Sequence, residues 1–216
     1  MDRDPVRWRN GIISIKIGIN TIGQTAALDR FASEGATPAI RSEILQCVDW
    51  IRQAVELIRR SHPQTRLVLV GIFNNADWPP NFGRWATKRE HANIKAALDV
   101  FDSAIQSITI QHSGMAFLND RAWFQSQWGE RDANGIPAYR NVSLGGRVSV
   151  SNTQGDEPTH AVLADGHAGV VWNALWAKNY VELLNSEFGL NIPPIATDKI
   201  HVIVNPRGAF GLRPTQ

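Results

Sequence analysis

One cysteine, Cys47, stands in the whole chain. A single thiol excludes an internal disulfide and a cysteine-based zinc cluster. It lies inside an apolar helical pattern, so it reads as a core residue. Basic patches are also lacking. Twenty-two Lys and Arg nearly balance twenty Asp and Glu, the net charge is +2, and no basic run forms. Nothing here argues for nucleic acid as a partner. No apolar run approaches the roughly 20 residues that span a bilayer. Met1-Asp2-Arg3-Asp4-Pro5 is polar and carries no apolar stretch of the kind a secretory signal needs. The compartment is left open. No spacing of His, Asp and Glu argues for a metal, and no motif calls for a cofactor.

What is present is an ordinary globular composition, 43% hydrophobic and 19% charged over 216 residues, which suits a single domain spanning 1–216. Short Ile- and Val-rich runs alternate with helical periodicity. Gly11 to Ile19 (GIISIKIGI) reads as a buried strand. After a Gly/Thr loop, Ile40, Ile44, Val48, Ile51, Val55 and Ile58 define one apolar helical face. That pattern stops at Ser61-His62-Pro63, because proline cannot continue a helix. Arg66 to Phe73 (RLVLVGIF) is a second strand. Ile94, Leu98, Phe101, Ile105 and Ile108 predict a second helix, and Met115 to Asp120 (MAFLND) a third strand. From about Trp123 to Pro158 the sequence is rich in glycine and reads as turns. Val170, Ala174, Ala177, Val181 and Leu184 predict the last helix and its apolar face.

This alternation implies a parallel sheet with helices on its faces. In such sheets the active groups occupy loops beyond the carboxyl ends of the strands. Three loops qualify: Gly18-Ile19-Asn20-Thr21, Asn74-Asn75-Ala76-Asp77, and Asn119-Asp120. A fourth stretch, Asp165-Gly166-His167, places an acid and an imidazole just before the last helix, the pairing expected of the acid–base end of a hydrolytic triad.

Two blocks carry a resemblance. Ile15 to Gly23 (IKIGINTIG) contains Gly18 and Asn20 in a Gly-x-Asn-Asp-like arrangement, with Thr21 where Asp is usual. Asp165 to Asn185 (DGHAGVVWNALWAKNYVELLN) places Asp and His before a long helix, with Ala168 where proline is common. In these blocks, and over roughly residues 11 to 200, the chain resembles the SGNH (GDSL-type) hydrolases. That superfamily comprises esterases, lipases and carbohydrate esterases on a flavodoxin-like, three-layer α/β/α fold with a parallel sheet.

The resemblance implies roles. Asn20, with Gly18, would form the oxyanion hole, where a neutral amide donates to developing negative charge without titrating. His167 would accept the nucleophile's proton and return it to the leaving alcohol. Asp165 would orient the imidazole. The usual spacing is Asp-x-x-His, and Ala164 occupies the expected place. Either the loop is one residue shorter, or Asp165 does not point at the ring. Asn20 and His167 are expected on one edge of the sheet. The substrate implied is a small ester or an acylated carbohydrate.

The family's Gly-Asp-Ser block has no counterpart here. The one Gly-Asp pair, Gly155-Asp156, is followed by Glu157. No nucleophile is therefore assigned within the chain. Against the family pattern the sequence begins at about the third strand, and the amino-terminal strands are expected to be missing. The Ile-rich first strand would then offer an open edge for self-association. The alternative is a non-catalytic binding domain, a pseudoenzyme on the same fold, or a plain structural α/β fragment.

Each residue also has a plainer reading. Asn20 after a strand is a common turn residue, and Asp165 near a helix start is favoured by the dipole. His160 stands near the same region. His62, His91, His112 and His201 read as helix-end or surface residues. Trp78, Trp85, Trp123 and Trp128 either line an apolar or sugar-binding cleft or stabilise long loops.

Overall fold

The computed structural model describes residues 6, 9–146 and 148–204. Met1 to Pro5, read above for a signal, lies outside them. The chain divides into two compact units. The first comprises Met1–Ala76, Gly83–Ala122 and Ala133–Gly135, the second Asp77–Phe82, Trp123–Asp132 and Ile136–Gln216.

The first unit holds a three-stranded parallel sheet in the order β1 (Ile12–Ile15), β2 (Arg66–Val70), β3 (Met115–Leu118). Its helices are α1 (Thr25–Glu34), α2 (Pro38–Ser61) and α3 (Lys88–Ile110). Both α1 and α2 pack against α3. The periodic residues of α2 and α3 do what their spacing predicts. Ile40, Ile44, Val48, Ile51 and Val55 are buried with Ile94, Leu98, Phe101, Ile105 and Ile108, in one cluster that takes in Leu67 and Leu69 of β2. Thr37 caps α2, with Pro38 in its first turn. Thr87 and Glu90 form a capping box on α3: Thr87 Oγ1 accepts from the Glu90 amide at 3.2 Å, and Glu90 Oε2 accepts from the Thr87 amide at 2.9 Å. Cys47 is buried in the core.

Several expectations need correction. The first strand is shorter than Gly11 to Ile19. Pairing ends at Ile15, and Ile17 is 52% exposed. As an outer strand of its sheet, β1 is only half-buried, whereas central β2 is buried over Leu67–Val70. Helix α1 lies where the sequence suggests a loop. Its ten residues show no long apolar period, and only Leu28, Phe31 and Ala32 are buried.

The second unit also departs from a turn-rich reading of Trp123 to Pro158. That stretch contains most of α4 (Asp120–Trp128), and the unit boundary runs through this helix. It also contains β4 (Val142–Leu144) and β5 (Val148–Gln154). With β6 (His160–Val162) these form a second sheet in the order β4-β5-β6, the first pair antiparallel and the second parallel. Helix α5 (Val170–Phe188) follows, then α6 (Thr197–Val204). The apolar face expected on α5 is displaced. Val171, Trp172, Leu175 and Leu184 are buried, while Val170 is 56% exposed. Aromatic rings decide this. Trp172 stacks on Trp128 at 4.8 Å and meets Trp78 and Trp123 edge-on at 4.9 and 5.2 Å. Phe124 and Tyr139 join the same group. These contacts rotate the helix so that its tryptophan faces inward.

The molecule is thus a mixed α/β protein with two small sheets, one of them parallel. Among the described residues, no helix is long and apolar enough to cross a membrane.

Candidate functional site

In the first unit the parallel strands bring their carboxyl ends to one edge, and the loops that follow them are tied together. Gly18 sits after β1 at φ 110°, buried against Phe101. Its carbonyl accepts from the amides of Thr21 and Ile22 at 3.0 and 2.7 Å, which turns the chain sharply. A Cβ at this position would stand 3.1 Å from the Phe101 ring. Glycine is required here by both backbone and space. The turn leaves Asn20 exposed. Asn75 donates from Nδ2 to the Gly23 carbonyl at 2.7 Å, joining the loop after β2 to the loop after β1. Lys16 meets the buried Asp120 at 2.8 Å, joining β1 to the end of β3.

A buried ionic group lies in the same unit. Asp102 of α3 accepts from the Ile72 amide at 2.9 Å and from Arg121 Nε and Nη2 at 2.9 and 2.6 Å. Burial pushes its carboxyl above the ordinary value, against the opposing pull of Arg121. Every oxygen is engaged, so this group holds the β2 loop to α3 and offers nothing to a substrate.

In the second unit Asp165, Gly166 and His167 form a tight loop between β6 and α5. The Asp165 carboxylate answers the question its short spacing raised. Its Oδ1 accepts from the His167 amide at 2.9 Å and stands 3.1 Å from His167 Nδ1. One oxygen thus closes an Asx turn and faces the ring. Gly166, at φ 87°, supplies the left-handed residue between the two. The chain turns back on itself at Gly166, and this brings the carboxylate to the ring.

The loop is held at almost every backbone group. The Leu163 amide donates to the His167 carbonyl at 2.8 Å, and the Gly166 amide to the Leu163 carbonyl at 2.9 Å. Gln154 donates to the Ala164 carbonyl at 2.7 Å, and the Ala164 amide donates to Asp156 at 3.1 Å. Trp78 donates from Nε1 to the Gly166 carbonyl at 2.9 Å. Beyond the loop, Asn173 donates to the carbonyls of Ala168 and Gly169 at 3.0 and 3.1 Å.

The side chains of this loop nevertheless face solvent. His167 is 82% exposed and Asp165 65%. The His167 amide, and then its ring, hold the Asp165 carboxyl below its ordinary value. The imidazole therefore has one nitrogen facing a carboxylate, and the ring stands open for proton transfer. Gly18 and Asn20 belong to the first unit, Asp165 and His167 to the second.

Other expected residues are placed more plainly. His160 Nδ1 lies 2.6 Å from Thr153 Oγ1, a cross-strand pair between β5 and β6. His201 is buried and His91 half-buried, its Nε2 2.7 Å from the Trp85 carbonyl. Both stand near helix ends, as expected, and neither is a freely exposed surface residue. Trp85, Trp123 and Trp128 are 2%, 5% and 0% exposed and fill cores, and Trp123 also reaches the wall of a small surface cavity with Gln127, Leu175 and Lys178. Among the described residues, no group of three or more His, Cys, Asp or Glu is placed to hold a metal ion.

Of the supports of the loop, Trp78 is marked in the sequence with loop stabilisation as one of its two readings, and its bond to Gly166 agrees with that one; Gln154 and Asp156 were missed as supports. They carry no periodic signal, and only their contacts reveal them. Comparison with protein-family models, with curated proteins and with solved structures gives no match.

Proposed function

We propose that this chain is an SGNH-like hydrolase domain that works on ester bonds by serine-type acyl transfer. The observation that carries the proposal is the 3.1 Å approach of the Asp165 carboxylate to His167 Nδ1, in a loop fixed by main-chain hydrogen bonds. In this reading His167 is the general base and then the general acid. Asp165 keeps the proton on Nδ1 and stabilises the imidazolium. Asn20 and Gly18 serve the oxyanion. The parallel strands and amphipathic helices of the first unit support the finer claim of a flavodoxin-like, three-layer fold. The substrate class is a small ester or an acylated carbohydrate.

No Gly-Asp-Ser sequence occurs in the 216 residues, so no serine is assigned as nucleophile. That observation favours the second reading, a non-catalytic binding domain on the same fold. It also shapes the experiment. His167 can take a proton only from a group within about 3 Å. The chain as it stands is expected to turn over p-nitrophenyl acetate no faster than its His167→Ala variant. Fused behind a strand bearing a Gly-Asp-Ser block, it is expected to gain turnover that His167→Ala and Asp165→Asn remove or reduce. Turnover in the fusion that survives His167→Ala refutes the reading. Failure of the fusion to turn over, with ester still bound, selects the binding domain.

The open-edge proposal concerns β1. It is an outer strand of its sheet, and Ile12, Ile13 and Ile15 are only half-buried. Self-association through that edge predicts a concentration-dependent sedimentation coefficient that an Ile13→Lys substitution lowers.

A further inference from the structure

Trp78 occupies an unusual place in the second unit. Its ring packs edge-on against Trp172, with centroids 4.9 Å apart at 86°. Its indole N–H donates to the carbonyl of Gly166, the residue between Asp165 and His167, at 2.9 Å. The indole therefore couples the aromatic core of the unit to the middle of an exposed turn. Gly166 is the flexible point of that turn, at φ 87° with no atom closer than 4.0 Å to the place of a Cβ. Sterics do not hold it, so hydrogen bonds must. Its own amide is held by the Leu163 carbonyl, and its carbonyl by Trp78. Rotation of the Gly166–His167 peptide would swing the His167 amide away from Asp165 Oδ1, and the ring would follow.

We propose that Trp78 is a positioning residue for the acid–base pair: its indole N–H fixes the Gly166 carbonyl and thereby keeps the Asp165 carboxylate on Nδ1 of His167. The inference rests on the reading of Asp165 and His167 as an acid–base pair. It assigns Trp78 no contact with substrate. The aromatic body supplies the rigid anchor and the N–H supplies direction, a division of labour that suits tryptophan at the boundary between core and solvent. Phenylalanine keeps the first and loses the second.

The test compares Trp78→Phe with Trp172→Phe in the full chain. Trp172→Phe disturbs the same ring packing but leaves the Trp78 donor in place. Imidazole nitrogen NMR reads the tautomer of His167, and hydrogen exchange reads its amide. In the unaltered chain the proton is expected on Nδ1. Trp78→Phe is expected to move it toward a mixture of tautomers and to speed exchange of the His167 amide about tenfold, the weight of one hydrogen bond. Trp172→Phe is expected to leave the tautomer alone. An Nε2-protonated ring in the unaltered chain overturns the acid–base reading and this inference with it. An Nδ1-protonated ring that Trp78→Phe leaves unchanged overturns the positioning role alone. An equal response to both substitutions assigns the effect to packing and overturns it as well.

Discussion

The two units are built from different materials. The core of the first is mostly aliphatic: Ile, Leu and Val from α2, α3 and β2, with Phe31, Trp85 and Phe101 among them. The core of the second is richer in aromatic rings, with Trp172 at their centre and Trp78, Trp123, Phe124, Trp128 and Tyr139 grouped around it beside aliphatic residues such as Leu144, Val150 and Val162. Aliphatic side chains pack without direction, so their burial needs only the right period. Tryptophan brings a donor that must be placed, and edge-on or stacked geometry that a period does not encode. The first unit uses its rigidity to gather loops at a sheet edge. The second uses an indole to hold a turn.

The largest effects should come from emptying either core. Trp128→Ala and Phe101→Ala are each expected to cost about 3–5 kcal/mol, read by urea denaturation. If the comparison holds, Trp128→Ala also erases much of the near-ultraviolet circular dichroism, while Phe101→Ala leaves that signal nearly intact. Asp102→Ala should cost somewhat less, about 1–3 kcal/mol, because it takes the acceptor from the Ile72 amide and one of two carboxylate partners from half-buried Arg121. Gly18→Ala comes next. Strain at φ 110° and the Phe101 ring at 3.1 Å predict about 1–3 kcal/mol. Thr87→Ala, which removes the cap of α3, should cost about 1 kcal/mol. At the small end, His167→Ala should leave the denaturation midpoint unchanged, since the ring is 82% exposed. A large loss of stability in that variant would mean the imidazole serves the fold.

The contrast in core material also explains what could be read in advance. The period of Ile40, Ile44, Val48, Ile51 and Val55 placed α2 correctly, because only one face of a helix can bury such residues. The same reasoning held only in part on α5. Of the stripe Val170, Ala174, Ala177, Val181 and Leu184, Leu184 is buried, the middle three are half-buried and Val170 is exposed, because Trp172 turns the helix toward itself. Helix α4 carries Trp123, Phe124 and Trp128 on its buried side, but the glycines after it suggested turns. At the Asp165 loop the sequence singled out Asp165 and His167 and left their contact undecided. The contact is made through an Asx turn with a positive φ at Gly166, in a loop to which Trp78 and Gln154 donate and from which Asp156 accepts, all three distant in sequence.

Two carboxylates sharpen the comparison. Asp102 is buried, and its folded-state pKa lies above its ordinary value. Its contribution to stability is present below the unfolded pKa and is lost as pH rises through the folded one. Asp165 is exposed, and its pKa lies below the ordinary value. Its contribution is present above the unfolded pKa and is lost as pH falls through the folded one. Acid titration should therefore release the Asp165 turn while the Asp102 group holds. Exchange of the His167 and Ile72 amides followed down the acid range separates the two, with His167 losing protection first.

The central claim is that Asp165 directs the proton on His167. Nitrogen NMR of the His167 imidazole, in the unaltered chain and in Asp165→Asn, measures this with no substrate and no nucleophile. The account predicts a ring protonated on Nδ1 in the unaltered chain and a shift toward Nε2 in the variant. A ring protonated on Nε2 in both proteins contradicts it.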